Sequence, residues 1–175
     1  DTILQTRITL INEATIWARG IYPMLVLAEQ GGIQARSQMP LRAQFAHVQL
    51  QGIADGVLGS GLDEFTKKTY YLVVVEAKRN LEGIDPRPQL YGQLLAAARL
   101  NWETDHAPVQ EIFGCYTISD DWTFHRAEVR DIETELPQMT LEVSREYAQK
   151  TEAETILKIL KHIVARRAHQ MPVAA

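Results

Sequence analysis

The chain has 175 residues, 46% of them hydrophobic and 23% charged, which suits one globular domain with a buried core. No apolar run reaches the roughly 18 residues that span a bilayer, and no charged-then-apolar leader is read at the start, so a cytoplasmic protein without a membrane partner is expected. The single cysteine, Cys115, excludes an internal disulfide and a cysteine-based zinc cage, and the net charge of −4 counts mildly against broad electrostatic binding of nucleic acid.

In chain order, Thr2 to Gln30 reads as helical, with Ile8, Ile11, Ala14 and Ile16 apolar. Gly20 and Pro23 should kink or divide it, and Gly31-Gly32 should stop it. Gln34 to Ala46 has a poor pattern, read as one strand and a loop. His47 to Val57 alternates loosely and is read as a strand. Gly59-Ser60-Gly61 should then turn the chain into a solvated loop holding Asp63, Glu64, Lys67 and Lys68. Tyr70 to Ala77 is the clearest strand, and its Leu72-Val73-Val74-Val75 run lacks alternation, as a strand covered on both faces would.

Asp85-Pro86-Arg87-Pro88 starts a helix expected to reach about Asn101, with Leu90, Leu94, Ala97 and Ala98 facing the core. Val109 to Ser119 and Trp122 to Val129 read as strands joined by an Asp120-Asp121 turn. A short strand over Thr140 to Ser144 and a helix over Arg145 to Ala168 follow, with Ile156, Ile159, Leu160 and Ile163 at helical spacing. This order implies one domain, with a core over about residues 8–130 and a C-terminal helix over about 145–168. Its class is an α/β sandwich with a mixed sheet.

Three charged residues interrupt apolar strands. Asp55 lies in Gly52-Ile53-Ala54-Asp55-Gly56-Val57, and Glu76 and Lys78 end Val73-Val74-Val75-Glu76-Ala77-Lys78. Residues i and i+2 of a strand share a face, so Glu76 and Lys78 project side by side, and a hairpin brings Asp55 to the same end of a neighbouring strand. Two carboxylates and an amine suit phosphodiester hydrolysis. Mg²⁺ takes one or two protein carboxylates plus phosphate oxygens, and Mn²⁺ can substitute. Asp55 and Glu76 would be the ligands, with the Ala77 carbonyl as a further one. Lys78 would orient the attacking water or stabilise developing charge.

These residues resemble the PD-(D/E)xK pattern of the restriction-endonuclease-like superfamily, with Asp55 in the first half-motif and Glu76-Ala77-Lys78 in the second. Ala54 stands where the pattern has proline. Over roughly residues 10 to 100 the sequence is most similar to the N-terminal nuclease domain of type I restriction enzyme restriction subunits. The shared features are an acid in the first helix (Glu13) before Ile21-Tyr22-Pro23-Met24-Leu25, the string Glu76-Ala77-Lys78-Arg79, and a glutamine-bearing helix with Gln89 and Gln93.

The resemblance implies a restriction-endonuclease-like core: a central mixed β-sheet flanked by helices on both faces, with a C-terminal helix. It implies a Mg²⁺-dependent deoxyribonuclease acting on DNA. Glu13 would be a helix-borne acid near the metal, and Gln89 or Gln93 would hold the lysine or the substrate backbone. Possible partners are a second copy, or a motor or recognition subunit of a restriction or repair complex, since nothing here resembles a helicase motor. The rival expectation is a nuclease-fold domain without activity that binds nucleic acid or a partner protein.

Each residue also has a plainer reading: Asp55 as a turn residue, Glu76 and Lys78 as a surface ion pair, Glu13 as a solvent-facing helix residue, and Gln89 and Gln93 as a polar stripe. Arg79 reads as surface or as a phosphate contact. The basic residues Lys158, Lys161, His162, Arg166, Arg167 and His169 read as a solvated face of the last helix or as a DNA-facing one. His106, His125 and His162 lack metal-type spacing and are read as structural, and Cys115 as a buried thiol.

Overall fold

The unbroken apolar run from Leu72 to Val75 lies at the centre of the fold, buried on both faces of a sheet. The computed structural model describes residues 13–61, 69–78, 80 and 84–168. The first part of the expected N-terminal helix, the Asp63–Lys68 loop, Arg79 and His169 lie outside them.

Six strands run in the order β1 (Gln34–Gln44), β2 (Gln49–Ser60), β3 (Tyr70–Lys78), β4 (Val109–Ile118), β5 (Asp121–Arg130) and β6 (Gln138–Ala148). The sheet is mixed: β3 and β4 are parallel, and every other neighbouring pair is antiparallel. A parallel pair needs a long crossover, supplied by the helix Pro86–Asp105.

Helices cover both faces. On one face lie α1 (Glu13–Ile16), a π-helical stretch (Trp17–Ile21), α2 (Tyr22–Leu27) and the C-terminal α4 (Gln149–Ala168). Ile21, Leu25, Ile156, Leu160 and Val164 from these elements pack on Val73, Val75 and Cys115. On the other face α3 (Pro86–Asp105) sets Leu90, Leu94 and Ala97 against Val57, Val74 and Ile112. At Gly114 the helix approaches so closely that an added Cβ would sit 2.9 Å from Leu94 Cδ2 and 3.1 Å from Leu90 Cδ1. Gly114→Ala is expected to destabilise by about 1–3 kcal/mol through overpacking, measured by chemical denaturation.

The elements have local causes. Asp85 caps α3, its side chain accepting from the Arg87 backbone N–H at 3.0 Å, with prolines in the first turn, and His106 closes it in the left-handed region at φ 53°. Pro23 cannot donate to a preceding carbonyl, and the ladder before it widens, Tyr22 N–H reaching back to the Trp17 carbonyl. Nearby, the carbonyl of Gly20 accepts from Gln149 Nε2 at 3.0 Å, and Gln149 Oε1 accepts from Trp122 Nε1 at 2.8 Å. The predicted kink is therefore a π-helical stretch tied to the start of α4.

The strand and loop expected over Gln34 to Ala46 are found as β1 and the residues that follow Gln44. Two strand expectations need correction. Gly59 and Ser60 still belong to β2, so the turn comes later. Thr140 to Ser144 lies within an eleven-residue strand, and the last helix begins at Gln149, because β6 stays paired with β5 up to Asp121↔Ala148.

Asn101, where the sequence pattern ends α3, is fully buried inside that helix, which runs on to Asp105. Its Oδ1 accepts from the Tyr71 N–H and its Nδ2 donates to the Tyr71 carbonyl, both at 2.8 Å. Pairing of β3 with β4 starts only at Val73↔Phe113. The Asn101 amide thus takes the place of a strand beside Tyr71.

Candidate active site

The ladder between β2 and β3 ends at Gly56↔Val75, which leaves Asp55 and Glu76 facing each other where the two strands part. In the other ladder the pairing passes from Ser37↔Gly56 to Met39↔Ala54 and skips Asp55 and Gln38, and Gln38 adopts a left-handed φ of 54°. Here the β1–β2 hairpin changes face. Ala54 and Val57, three residues apart, both pack toward α3, while Gly56 between them faces Trp17 and Leu25. Asp55 occupies this switch, and Oδ2 of its carboxylate accepts from the Ala77 N–H at 2.7 Å.

Glu76 is 1% exposed, although it carries a carboxylate. Oε1 pairs with Lys78 Nζ at 3.0 Å and Oε2 accepts from Gln93 Nε2 at 3.0 Å. Burial pushes its carboxyl above the ordinary carboxylate range and the charge of Asp55 adds to this, while the Lys78 and Gln93 hydrogen bonds oppose it. Lys78 is 24% exposed and reaches solvent from the rim.

The Ala77 N–H points toward the opened β2 side, and in a strand one residue's N–H and C=O point to the same neighbour. The Ala77 carbonyl therefore lies at the gap with both carboxylates. Of the two Asp55 carboxylate oxygens, only Oδ2 is hydrogen-bonded to another described residue. No group of three or more His, Cys, Asp or Glu side chains gathers among the described residues. The donor set is two carboxylates and a carbonyl, a hard oxygen set of the kind that suits Mg²⁺ or Mn²⁺ and not zinc. A dry carboxylate beside a second one, balanced among the described residues by Lys78, is chemically short of positive charge, and a divalent cation fits that need.

Of the two glutamines left open by the sequence, Gln93 is the one at the site. It is 6% exposed, its Nε2 also lies 3.4 Å from the Ile53 carbonyl, and its Oε1 has no partner among the described residues. Gln89, on the same helix, is exposed and lines a groove of about 320 Å³ between α3 and the β1–β2 hairpin, together with Gln51, Gly52 and Gln93. Gln93→Ala leaves Glu76 oriented, among the described residues, by Lys78 alone and, on the hydrolase reading proposed below, should lower cleavage about tenfold to a hundredfold, the usual effect of losing a residue that orients a ligand. Steady-state cleavage rates with folding checked by circular dichroism would test this.

Glu13 opens α1, one turn before Trp17, and its side chain lies outside the described residues. Trp17 Nε1 donates to Ser37 Oγ at 3.0 Å, and Ser37 Oγ donates to the Asp55 carbonyl at 3.3 Å. Sequence reading missed this relay, because three residues so far apart in the chain carry no shared pattern.

The other candidates lie elsewhere. His125 is 2% exposed between the Tyr91 and Tyr116 rings at 5.6 and 5.4 Å, and burial lowers its basicity. His106 caps α3 and packs edge-on against Trp102. Cys115 is fully buried, which pushes its thiol pKa upward. In α4, Lys158 pairs with Glu154, Arg166 with Glu111, and the Arg167 guanidinium lies 3.7 Å from the Tyr70 ring centroid, so part of its basic stretch is engaged within the fold. No helix among the described residues is long and apolar enough to cross a membrane.

The chain matches no protein-family model and no curated relative.

Proposed function

We propose that this protein is a metal-dependent DNA phosphodiester hydrolase with a restriction-endonuclease-like core, acting as an endonuclease at the parted ends of β2 and β3. The observation that carries the reading is the convergence of Asp55, Glu76 and Lys78 on one opening, with Glu76 buried and oriented from two sides. A structural ion pair needs neither a second carboxylate nor a buried amide clamp.

Asp55, Glu76 and the Ala77 carbonyl would hold Mg²⁺, or Mn²⁺ in its place. When bound, the ion neutralises phosphate charge and makes water more acidic. Lys78, held by Glu76, places its ammonium at the solvent rim, where it orients an attacking water or meets charge building on phosphate oxygens. Gln93 holds one oxygen of Glu76, and its own buried Oε1 has no partner among the described residues. Glu13, from the helix that Trp17 anchors, is proposed as a further acid serving the ion.

The test is cleavage of plasmid and linear DNA. Wild-type protein should cut with Mg²⁺ or Mn²⁺ and stop with chelator, and Asp55→Asn should lose about a hundredfold to a thousandfold in rate. Absence of divalent-ion binding by calorimetry, together with cleavage that Asp55→Asn leaves untouched, would end the proposal.

A further inference from the structure

Beyond Asp55, the β1–β2 hairpin continues as a two-stranded arm. β1 and β2 stay paired from Ser37↔Gly56 out to Gln44↔Gln49, while β3 accompanies β2 only over Gly56–Ser60. One face of the arm, with Leu41, Ala43, Leu50 and Ala54, packs toward α3. The outward face presents Pro40, Arg42, Gln44, Gln49, Gln51 and Ile53, all exposed. We propose that this outward face reads duplex DNA from the major groove, beside the cut. The inference deepens the proposed function and rests on it for the choice of DNA.

Three observations carry it. The first is charge: from Gln30 to Ala54 the chain has no Asp or Glu, although the protein is acidic overall, and Arg36, Arg42 and His47 fall in that stretch. Glu135 pairs with His47 at 3.1 Å at the hairpin tip, so the charge that the outward face offers a polyanion is that of Arg42. The second is chemistry. Arg42 and Gln51 are cross-strand partners, and an amide atom of Gln49 lies 2.6 Å from Arg42 Nε and 3.2 Å from Gln51 Oε1. One guanidinium and two carboxamides thus stand in a row. Arginine pairs with the guanine edge and glutamine with the adenine edge in the major groove, which admits a two-stranded ribbon. Ile53, 54% exposed at the end of the row, supplies an apolar contact of the kind a thymine methyl takes. The third is continuity. Ile53 lies two residues from Asp55 on β2, and its carbonyl is 3.4 Å from Gln93 Nε2, so the arm adjoins the site.

The test is selection from a randomised duplex library by wild-type protein in chelator, with cleavage of the same library in Mg²⁺ run alongside. The retained duplexes should share a base preference. The Arg42→Ala/Gln51→Ala variant should lose that preference, binding the selected duplex about tenfold to a hundredfold more weakly while holding an unselected duplex within about threefold. An unchanged melting temperature establishes that the variant folds. Base preference without cleavage supports the inference and overturns the hydrolase reading. Cleavage or binding without base preference, or a preference that survives the double substitution, overturns the inference.

Discussion

Replacing Glu76 with glutamine is expected to remove DNA cleavage, by about a thousandfold, and at the same time to raise the melting temperature of the metal-free protein at neutral pH. The two effects share one cause. Glu76 is buried beside Asp55, and burial raises its carboxyl above the ordinary value of 4.5 despite the Lys78 and Gln93 hydrogen bonds. A group whose folded-state pKa is raised contributes its stability below the unfolded value and loses it as pH rises through the folded value. Above that raised value the ionised side chain is a burden on the fold, and a neutral amide of the same shape relieves it. The gap in melting temperature between variant and wild type should close as the pH is lowered toward about 4. Mg²⁺ should act on the wild type alone. A hundredfold excess over its dissociation constant adds about 2.7 kcal/mol, or roughly 5–10 °C, and the variant should respond far less. If the variant melts below the wild type at pH 7 and both respond alike to Mg²⁺, Glu76 is a packing residue and not a ligand.

Asn101→Leu should destabilise the protein by about 2–5 kcal/mol without touching the site. The substitution fills the space but leaves the Tyr71 N–H and C=O buried without partners, and each orphaned group costs about 1–3 kcal/mol. No neighbour can take over, since β4 joins β3 only from Val73 onward. In chemical denaturation the midpoint should fall with the slope unchanged. A loss under about 0.5 kcal/mol would mean that the backbone at Tyr71 finds another partner. Cleavage by the folded fraction should match wild type, which separates this residue from Glu76 and Gln93.

What the sequence made legible follows physical rules. The β3 strand was plain because a strand covered on both faces is apolar throughout, and α3 because its buried positions recur at helical spacing. Asp55, Glu76 and Lys78 stood out because charge in such strands is conspicuous. The two outermost strands were poorly legible. β1 and β6 are covered on one face at most, and β1 changes face at Gln38, so neither shows a clean alternation. Residues 145–148 read as helix because a polar edge strand and a polar helix start look alike in one sequence. The Gln89–Gln93 choice was open because both lie on one helix face, and only the depth of Glu76 decides between them. Asn101 and the Trp17–Ser37–Asp55 relay were invisible, since their meaning lies wholly in tertiary contact.

The bridge from Gln149 to the Gly20 carbonyl joins chain positions 129 residues apart. A polypeptide still emerging from the ribosome has the first helix long before it has that partner. A fragment ending before residue 149 would keep the Trp17–Ser37 contact that holds the first helix to the sheet, but its Gly20 carbonyl would lack Gln149.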